Sequence, residues 1–199
     1  MGRPRTVSDA AVMEATARAI TRVGPGGLTL AEVAREAGIA PPTLVKRYGS
    51  KRELLLAFAA RSDEGVATAF EKAERQTEGA LQVMRRALVS LTGPVRTPEG
   101  MANHLAFLHL DLADPEFRVH AARFAETLRS RIEALLRRAV AGGELSPGVD
   151  PGALARAVGT MYNGALVTWA IEPVGPLEAA LLDGIDALLV PAGASAGTR

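Results

Sequence analysis

The amino-acid sequence predicts an all-α chain, and three observations predict it. Apolar residues recur at the i, i+3, i+4 and i+7 spacing of one helix face along most of the 199 residues, and no segment alternates with the period of a strand. Aromatic residues make up 4% of the chain against 48% hydrophobic in all, so the core is built from Leu, Val, Ala and Ile, which suits packed helices better than a sandwich. The same punctuation also returns along the chain: a Ser, Thr or Asp followed at once by proline, or three residues later by glutamate, which is how helices begin. At this length such a composition is ample for a buried core.

Taken in order, Ser8 caps a first helix whose Val12, Ala15, Thr16, Ala19, Ile20 and Val23 share one face, and Gly24 with Pro25, Gly26 and Gly27 behind it stops the run. Thr29 stands three residues before Glu32 as a capping box, with Leu28 and Val33 at the positions of a hydrophobic staple. A second helix therefore starts at about Leu30, and Gly38 supplies the left-handed exit. The stretch "APPTLVKRYGSK", residues 40–51, opens with a proline pair that reads as the first turn of a third helix, where a missing N–H costs nothing. Ala40 takes the cap position, Ile39 staples onto Leu44, and the helix ends near Tyr48 at Gly49. Ser50 and Glu53 form another capping box that launches a fourth helix.

Further on, Thr97-Pro98, Asp114-Pro115 and Asp150-Pro151 repeat the device of a capping residue followed by a first-turn proline. Helices are predicted at 51–76, 79–92, 98–112, 115–141, 151–171 and 176–190, with breaks at "TGPVRTP", "GGELSPGVDP" and "EPVGP". The small, polar tail over 191–199 is expected to be disordered.

Charge divides the chain. Net charge is +1, yet residues 1–62 hold 10 Lys or Arg against 5 Asp or Glu, and the remainder is net negative. A cationic first third is what a phosphate-binding module needs, because neutralised phosphates release condensed counterions. The absence of cysteine excludes disulfides, thiolate zinc sites and a Cys nucleophile together. No segment approaches the roughly 18 uninterrupted apolar residues of a membrane span, and no apolar run follows the early arginines, so a cytoplasmic protein with no membrane partner is expected. There is no P-loop, no Gly-x-Ser-x-Gly elbow and no His-Glu-x-x-His, and no cofactor is expected. His104, His109 and Asp111 are spaced by five and two residues, which does not gather ligands on one helix face, so no metal is expected either.

Two short helices joined by a tight turn containing glycine form the pattern of a helix-turn-helix, whose second helix enters the major groove of DNA. The order "LTLAEVAREAGIAPPTLVKRYGSKRELL" resembles, over about residues 8–58, the DNA-binding domain of the TetR (tetracycline-repressor-like) family. Thr29, Ala37, Gly38, Thr43, Leu44, Tyr48, Ser50 and Lys51 occupy that family's places. The chain departs from it at Ala40, where a cap Ser is usual, at Val45, where a Tyr is usual, and at Lys46 and Arg47, which replace aromatic or His residues.

The resemblance implies an N-terminal three-helix domain over residues 1–50, with the fourth helix linking it to a helical regulatory and dimerisation domain over 51–190. It implies that Thr43 and Lys51 contact phosphates, in agreement with the attraction of helix N-termini for phosphate. The candidate DNA-facing residues are Arg3, Arg5, Thr29, Pro42, Thr43, Val45, Lys46, Arg47, Tyr48 and Lys51. Lys46 is favoured as the reader of a guanine, with Arg47 reaching sideways to phosphate; Arg3 and Arg5 are placed as an arm along a groove. By the same resemblance the chain is a sequence-specific regulator on a double-stranded operator, a repressor released from a palindrome by a small-molecule effector. The last two helices then form the homodimer interface through Leu154, Val158, Ala165, Leu177, Leu181, Ile185 and Leu188, residues that a core within one chain accounts for equally well. The effector pocket falls to His104, Phe107, Leu108, Phe117, Phe124, Met161, Tyr162 and Trp169, each of which core packing also explains. A helical carrier or enzyme acting on an apolar molecule is the alternative, and the constellation of Thr29, Thr43 and Lys51 argues against it.

Overall fold

A computed structural model of the protein describes residues 7–193; Arg3, Arg5 and the end of the tail lie outside the described residues. Among the described residues the chain forms ten α-helices and no strand: α1 (Asp9–Gly27), α2 (Leu30–Ala37), α3 (Pro41–Tyr48), α4 (Lys51–Ala59), α5 (Ser62–Gln76), α6 (Ala80–Ser90), α7 (Pro98–Ala113), α8 (Pro115–Ala141), α9 (Pro151–Ile171) and α10 (Leu177–Leu189). None of these helices is long and apolar enough to cross a membrane.

The capping residues act as their spacing predicts. Ser8 Oγ accepts from the Ala11 N–H at 3.2 Å, Thr29 Oγ1 from Glu32 at 3.1 Å, Ser50 Oγ from Glu53 at 3.1 Å and Thr97 Oγ1 from Gly100 at 3.1 Å. Asp150 takes two donors, from Gly152 and Ala153. Each satisfies a first-turn N–H that the helix cannot pair internally. Ala40 makes no such bond, and the prolines at Pro41 and Pro42 remove the donors that would need one.

Helical geometry in α1 is interrupted at Gly24, with φ 66° and ψ 167°, and a last turn over Pro25 to Gly27 follows. The glycine is required twice over. Its φ lies in the region that side chains avoid, and a Cβ there would stand 3.0 Å from Asn103 Oδ1. Asn103 of α7 uses its Nδ2 to donate to the Thr21 and Arg22 carbonyls near that kink. Gly38 is left-handed, with φ 69°, and turns the chain from α2 into the segment before α3.

One predicted helix is two. The run over 51–76 breaks at Ala60 and Arg61, between α4 and α5. The Ala60 N–H donates to the Leu56 carbonyl at 2.8 Å and the Arg61 N–H to Phe58, three residues back, at 3.2 Å, so the last turn tightens and stops. Ser62 and Glu64, a start-type residue and a first-turn acid, then open α5.

The chain divides into two compact units that cut across the boundary predicted near residue 50. The first joins residues up to Arg61 with Pro94–Arg118, and the second joins Ser62–Gly93 with the chain from Val119 onward. In the first, α1 packs on α2 and α7, over a core of Val12, Ala15, Ile20, Leu28, Val33, Leu44, Leu54 and Phe117. Phe58, Phe107 and Phe117 meet edge to face at centroid distances of 5.7 and 5.8 Å. In the second, α10 lies on α9 and α6, and Phe70, Met84, Leu88, Ile132, Leu136 and Leu181 are fully enclosed. The buried Arg85 of α6 is matched there by Asp186 of α10, which accepts from Nη2 at 2.6 Å and Nε at 3.0 Å.

Candidate nucleic-acid interface

The geometry of α3 follows from one buried residue. Leu44 is wholly buried. At about 100° per residue, Pro42 and Lys46 fall roughly 160° from it, and Thr43 and Val45 about 100° to either side. All four are exposed, Val45 by 47%. The outward surface of the helix therefore carries a rigid proline, a hydroxyl, an apolar patch and one cation.

Arg47 and Tyr48 fall about 60° and 40° from Leu44 and belong to the inward flank. Arg47 Nη2 donates to the Val7 carbonyl at 3.0 Å, and Nη1 lies 3.3 Å from Asp9 Oδ1. The Tyr48 hydroxyl donates to the same Oδ1 at 3.1 Å. Burial, and then this bond, hold the Tyr48 phenol above its usual pKa range. Both residues are among the DNA-facing candidates of the sequence, and in the structure both engage the start of α1. A helical wheel centred on Leu44 carries the signal that separates them from Lys46.

The flanking helix starts are held in place by backbone. Lys51 Nζ donates to the Gly26 carbonyl at 2.7 Å, tying the first residue of α4 to the turn that leads into Thr29 and α2. Thr29, Thr43 and Lys51 sit at or next to the starts of three helices; first-turn N–H groups of α2 and α4 favour an anion there, whereas α3, opened by Pro41 and Pro42, offers the Thr43 hydroxyl instead.

Charge is concentrated by internal pairing. Arg18 meets Glu36 at 2.9 Å, Arg22 and Arg35 share Glu32, and Arg52 Nη2 reaches Asp114 at 2.8 Å and Glu116 at 2.6 Å while its guanidinium stands over the Phe117 ring. Among the described residues no carboxylate lies within ion-pair distance of Lys46 or Lys51. Counted whole, the first unit has 12 Lys or Arg and 9 Asp or Glu, a smaller excess than residues 1–62 suggest. Because Asp114 and Glu116 are spent on Arg52, the positive field remains at these two lysines.

The predicted effector residues are divided between the units. His104, Phe107, Leu108 and Phe117 lie in the first, where Phe117 is a core residue and Phe107 packs against that core. Phe124, Met161, Tyr162 and Trp169 lie in the second. Trp169 is buried, with its Nε1 donating to the Gly175 carbonyl at 3.0 Å. Tyr162 is buried too, and burial pushes its phenol up. A cleft of about 330 Å³ in the first unit is lined by Arg18, Thr21, Arg22, Pro94, Arg96, Thr97 and Gly100, none of them a predicted effector residue.

The predicted dimer residues divide as well. Val158, Leu181 and Ile185 are wholly buried and Leu177 nearly so within the single chain, which leaves them no surface for a partner. Leu154, Ala165 and Leu188 keep partial exposure. The periodicity overlooked Val167, Ile171 and Val174, which are 41%, 74% and 83% exposed.

A short helix buried by one leucine, set after a glycine turn and flanked by capped helix starts, defines a helix-turn-helix DNA-binding protein. The chain belongs to the TetR family: the family model described as bacterial regulatory proteins, tetR family, matches residues 12–58, and that of the BetI-type transcriptional repressor C-terminal domain matches residues 80–190. It is thus a DNA-binding transcriptional regulator. The chain is similar to the HTH-type transcriptional regulator BetI of Rhizobium meliloti (strain 1021), at 28% identity over 167 residues, covering 81% of this chain and 77% of that one. Its fold is similar to that of a TetR transcription regulator from Haloarcula marismortui, with TM-score 0.72, 19% identity and 92% and 96% of the two chains covered. It is also similar to the FadR regulator of Bacillus subtilis in complex with stearoyl-CoA, with TM-score 0.63, 15% identity and 92% and 98% covered.

Proposed function

We propose that this regulator is a homodimeric repressor that binds a palindromic operator through α3 and leaves it when a small, mostly apolar molecule occupies its C-terminal domain. The observation that carries the reading is the outward surface of α3, where Pro42, Thr43, Val45 and Lys46 are exposed opposite a buried Leu44. Lys46 pairs with guanine O6 and N7, and Val45 makes apolar contact with a thymine methyl. Thr29, Thr43 and Lys51 position the helix on phosphates, and Arg3 and Arg5 follow the neighbouring groove. The effector reading rests on Phe124, Met161, Tyr162 and Trp169, a set apolar except for two polar tips, as small-molecule sites commonly are. The same fold holds stearoyl-CoA in the Bacillus subtilis protein. The dimer reading rests on Leu154, Ala165, Leu188 and the exposed Val167 and Ile171, because two recognition helices on one palindrome require a two-fold axis.

Sequencing the duplexes that the protein retains from random pools tests the reading. The expected result is an inverted repeat with half-sites one helical turn or a multiple apart. Enrichment of no sequence would overturn operator recognition. Ligands shown to bind the protein should lower operator affinity, since coupling requires different affinity for the two states; ligands that bind without changing it would remove the sensor half.

A further inference from the structure

We propose that Asp9 is a specificity-determining residue of the DNA interface and acts through Arg47: the start of α1 holds the Arg47 guanidinium within the protein, so that of the two adjacent cations on α3 only Lys46 is offered to base edges. The inference rests on α3 being the helix that meets DNA.

Three contacts make the hold. The Val7 carbonyl accepts from Arg47 Nη2 at 3.0 Å, the Asp9 carboxylate lies 3.3 Å from Nη1, and Tyr48, the next residue of α3, donates its hydroxyl to the same carboxylate oxygen at 3.1 Å. Tyr48 thereby fixes the carboxylate that faces Arg47. Nη1 is enclosed and makes no hydrogen bond, so the Asp9 carboxylate 3.3 Å away compensates its charge as an ion pair. A guanidinium held in this way moves out to DNA only by giving up a backbone acceptor and leaving a carboxylate without its cation.

The consequence is selectivity. A free arginine beside Lys46 would add either a strong phosphate contact that every sequence provides or a second guanine contact. An arginine neutralised by Asp9 adds neither, and the ratio of operator to random DNA binding rises accordingly. Asp9 is a positioning residue in this arrangement, since its own side chain meets Arg47 and Tyr48.

The test uses the full chain with Asp9→Ala, Asp9→Asn, Arg47→Ala and the double variant Asp9→Ala/Arg47→Ala. Binding to random duplex and to the enriched site is measured over a salt series, with every single-base change in one half-site, beside thermal unfolding. Asp9→Ala is expected to bind random duplex about tenfold more tightly at low salt, and its log-log salt slope to steepen by about one, the signature of one further phosphate. Asp9→Asn, which keeps the acceptor and loses the charge, should fall between. The double variant should return to the wild-type slope, and Arg47→Ala alone should leave slope and base preference unchanged. An Arg47→Ala protein whose slope flattens by about one, or whose selectivity relaxes at one base position, would overturn the proposal, as would an Asp9→Ala protein with the wild-type slope. If Arg47→Ala unfolds, the Asp9 variants decide alone, because the Asp9 side chain is 63% exposed and its removal opens no core. A wild-type chain that no DNA retains would sink the reading of α3 and this inference with it; variants that misbehave on a wild type that binds sink this inference only.

Discussion

Lys46 and Lys51 are five residues apart and carry the same charge, yet their surroundings give them different work. Lys51 is the first residue of α4 and already donates to a backbone carbonyl, so on the proposed reading its part is that of a point charge beside a helix start. Lys51→Ala should weaken binding to all sequences alike and reduce the salt slope by about one. Lys46 stands opposite Leu44, so Lys46→Ala should cost about 1 to 3 kcal/mol on the preferred site and relax one position of each half-site. Affinity for every single-base change in a half-site separates the two outcomes. Asp111 of α7 makes a prediction about pH. Burial pushes its carboxyl up to about 6 from 3.8. A raised carboxylate pKa means that the folded chain binds the proton more tightly, so the cost of the buried charge is present above about pH 6 and is relieved as pH falls towards 3.8. Asp111→Asn should therefore stabilise the fold at neutral pH by about 1 kcal/mol, after allowing for solvent screening of a half-buried group, with the gain vanishing near pH 4. Melting temperatures of the two proteins over that range check it. At this scale the sequence was legible where a residue's role is local. Thr29, Ser50 and Asp150 cap by reaching three residues along the chain or fewer, and their spacing announces it. The partners of Arg47, Val7 and Asp9, are some forty residues away in sequence, and no local spacing announces them.

Helix starts were more legible than helix ends, and α6 shows why some starts are not legible at all. Gly79 precedes α6 with φ 80° and has no side chain to cap with. The cap comes instead from Glu144, whose two carboxylate oxygens accept from the Ala80 N–H at 2.8 Å and the Leu81 N–H at 3.2 Å. Charge-assisted bonds to first-turn donors at a helix N-terminus combine the capping and dipole contributions. Glu144→Ala should cost about 1 to 2 kcal/mol in urea unfolding, leaving two enclosed donors unpaired. Glu144→Gln retains an acceptor and should lose about half of that. Equal losses for the two substitutions would mean that the carboxylate contributes by packing. The break between α4 and α5 failed to show for a related reason. Helical spacing of apolar residues continues through Ala59, Val66 and Phe70, all buried, so periodicity bridges a stop that is made only by the tightening of backbone bonds at Ala60 and Arg61.

For the whole molecule, the sequence gives the apolar residues of α9 and α10 but not the allegiance of each. Burial within one chain divides them: Leu181 and Ile185 serve the protomer, while Val167 and Ile171 stand 41% and 74% exposed on one side of α9 with Thr160 and Gly164. Residues 160, 164, 167 and 171 follow the i, i+4, i+7 and i+11 pattern of a single stripe, and the small members let a second helix approach closely. Solvent-exposed Ile and Val in such a row are what a symmetric partner would cover. Ile171→Glu places a charge where a two-fold axis would bring a second copy of itself, so repulsion and desolvation act together. The expected result is a monomer by light scattering with an unchanged melting temperature at low protein concentration, and operator affinity reduced by two orders of magnitude or about that, because the two half-sites no longer bind as one event. Leu181→Ala should do the reverse, lowering stability by about 2 to 5 kcal/mol through a core cavity while the folded fraction still dimerises. If Ile171→Glu remained a dimer and Leu181→Ala became a stable monomer, the stripe on α9 would belong to some other contact, and the dimer face would have to be sought on α10.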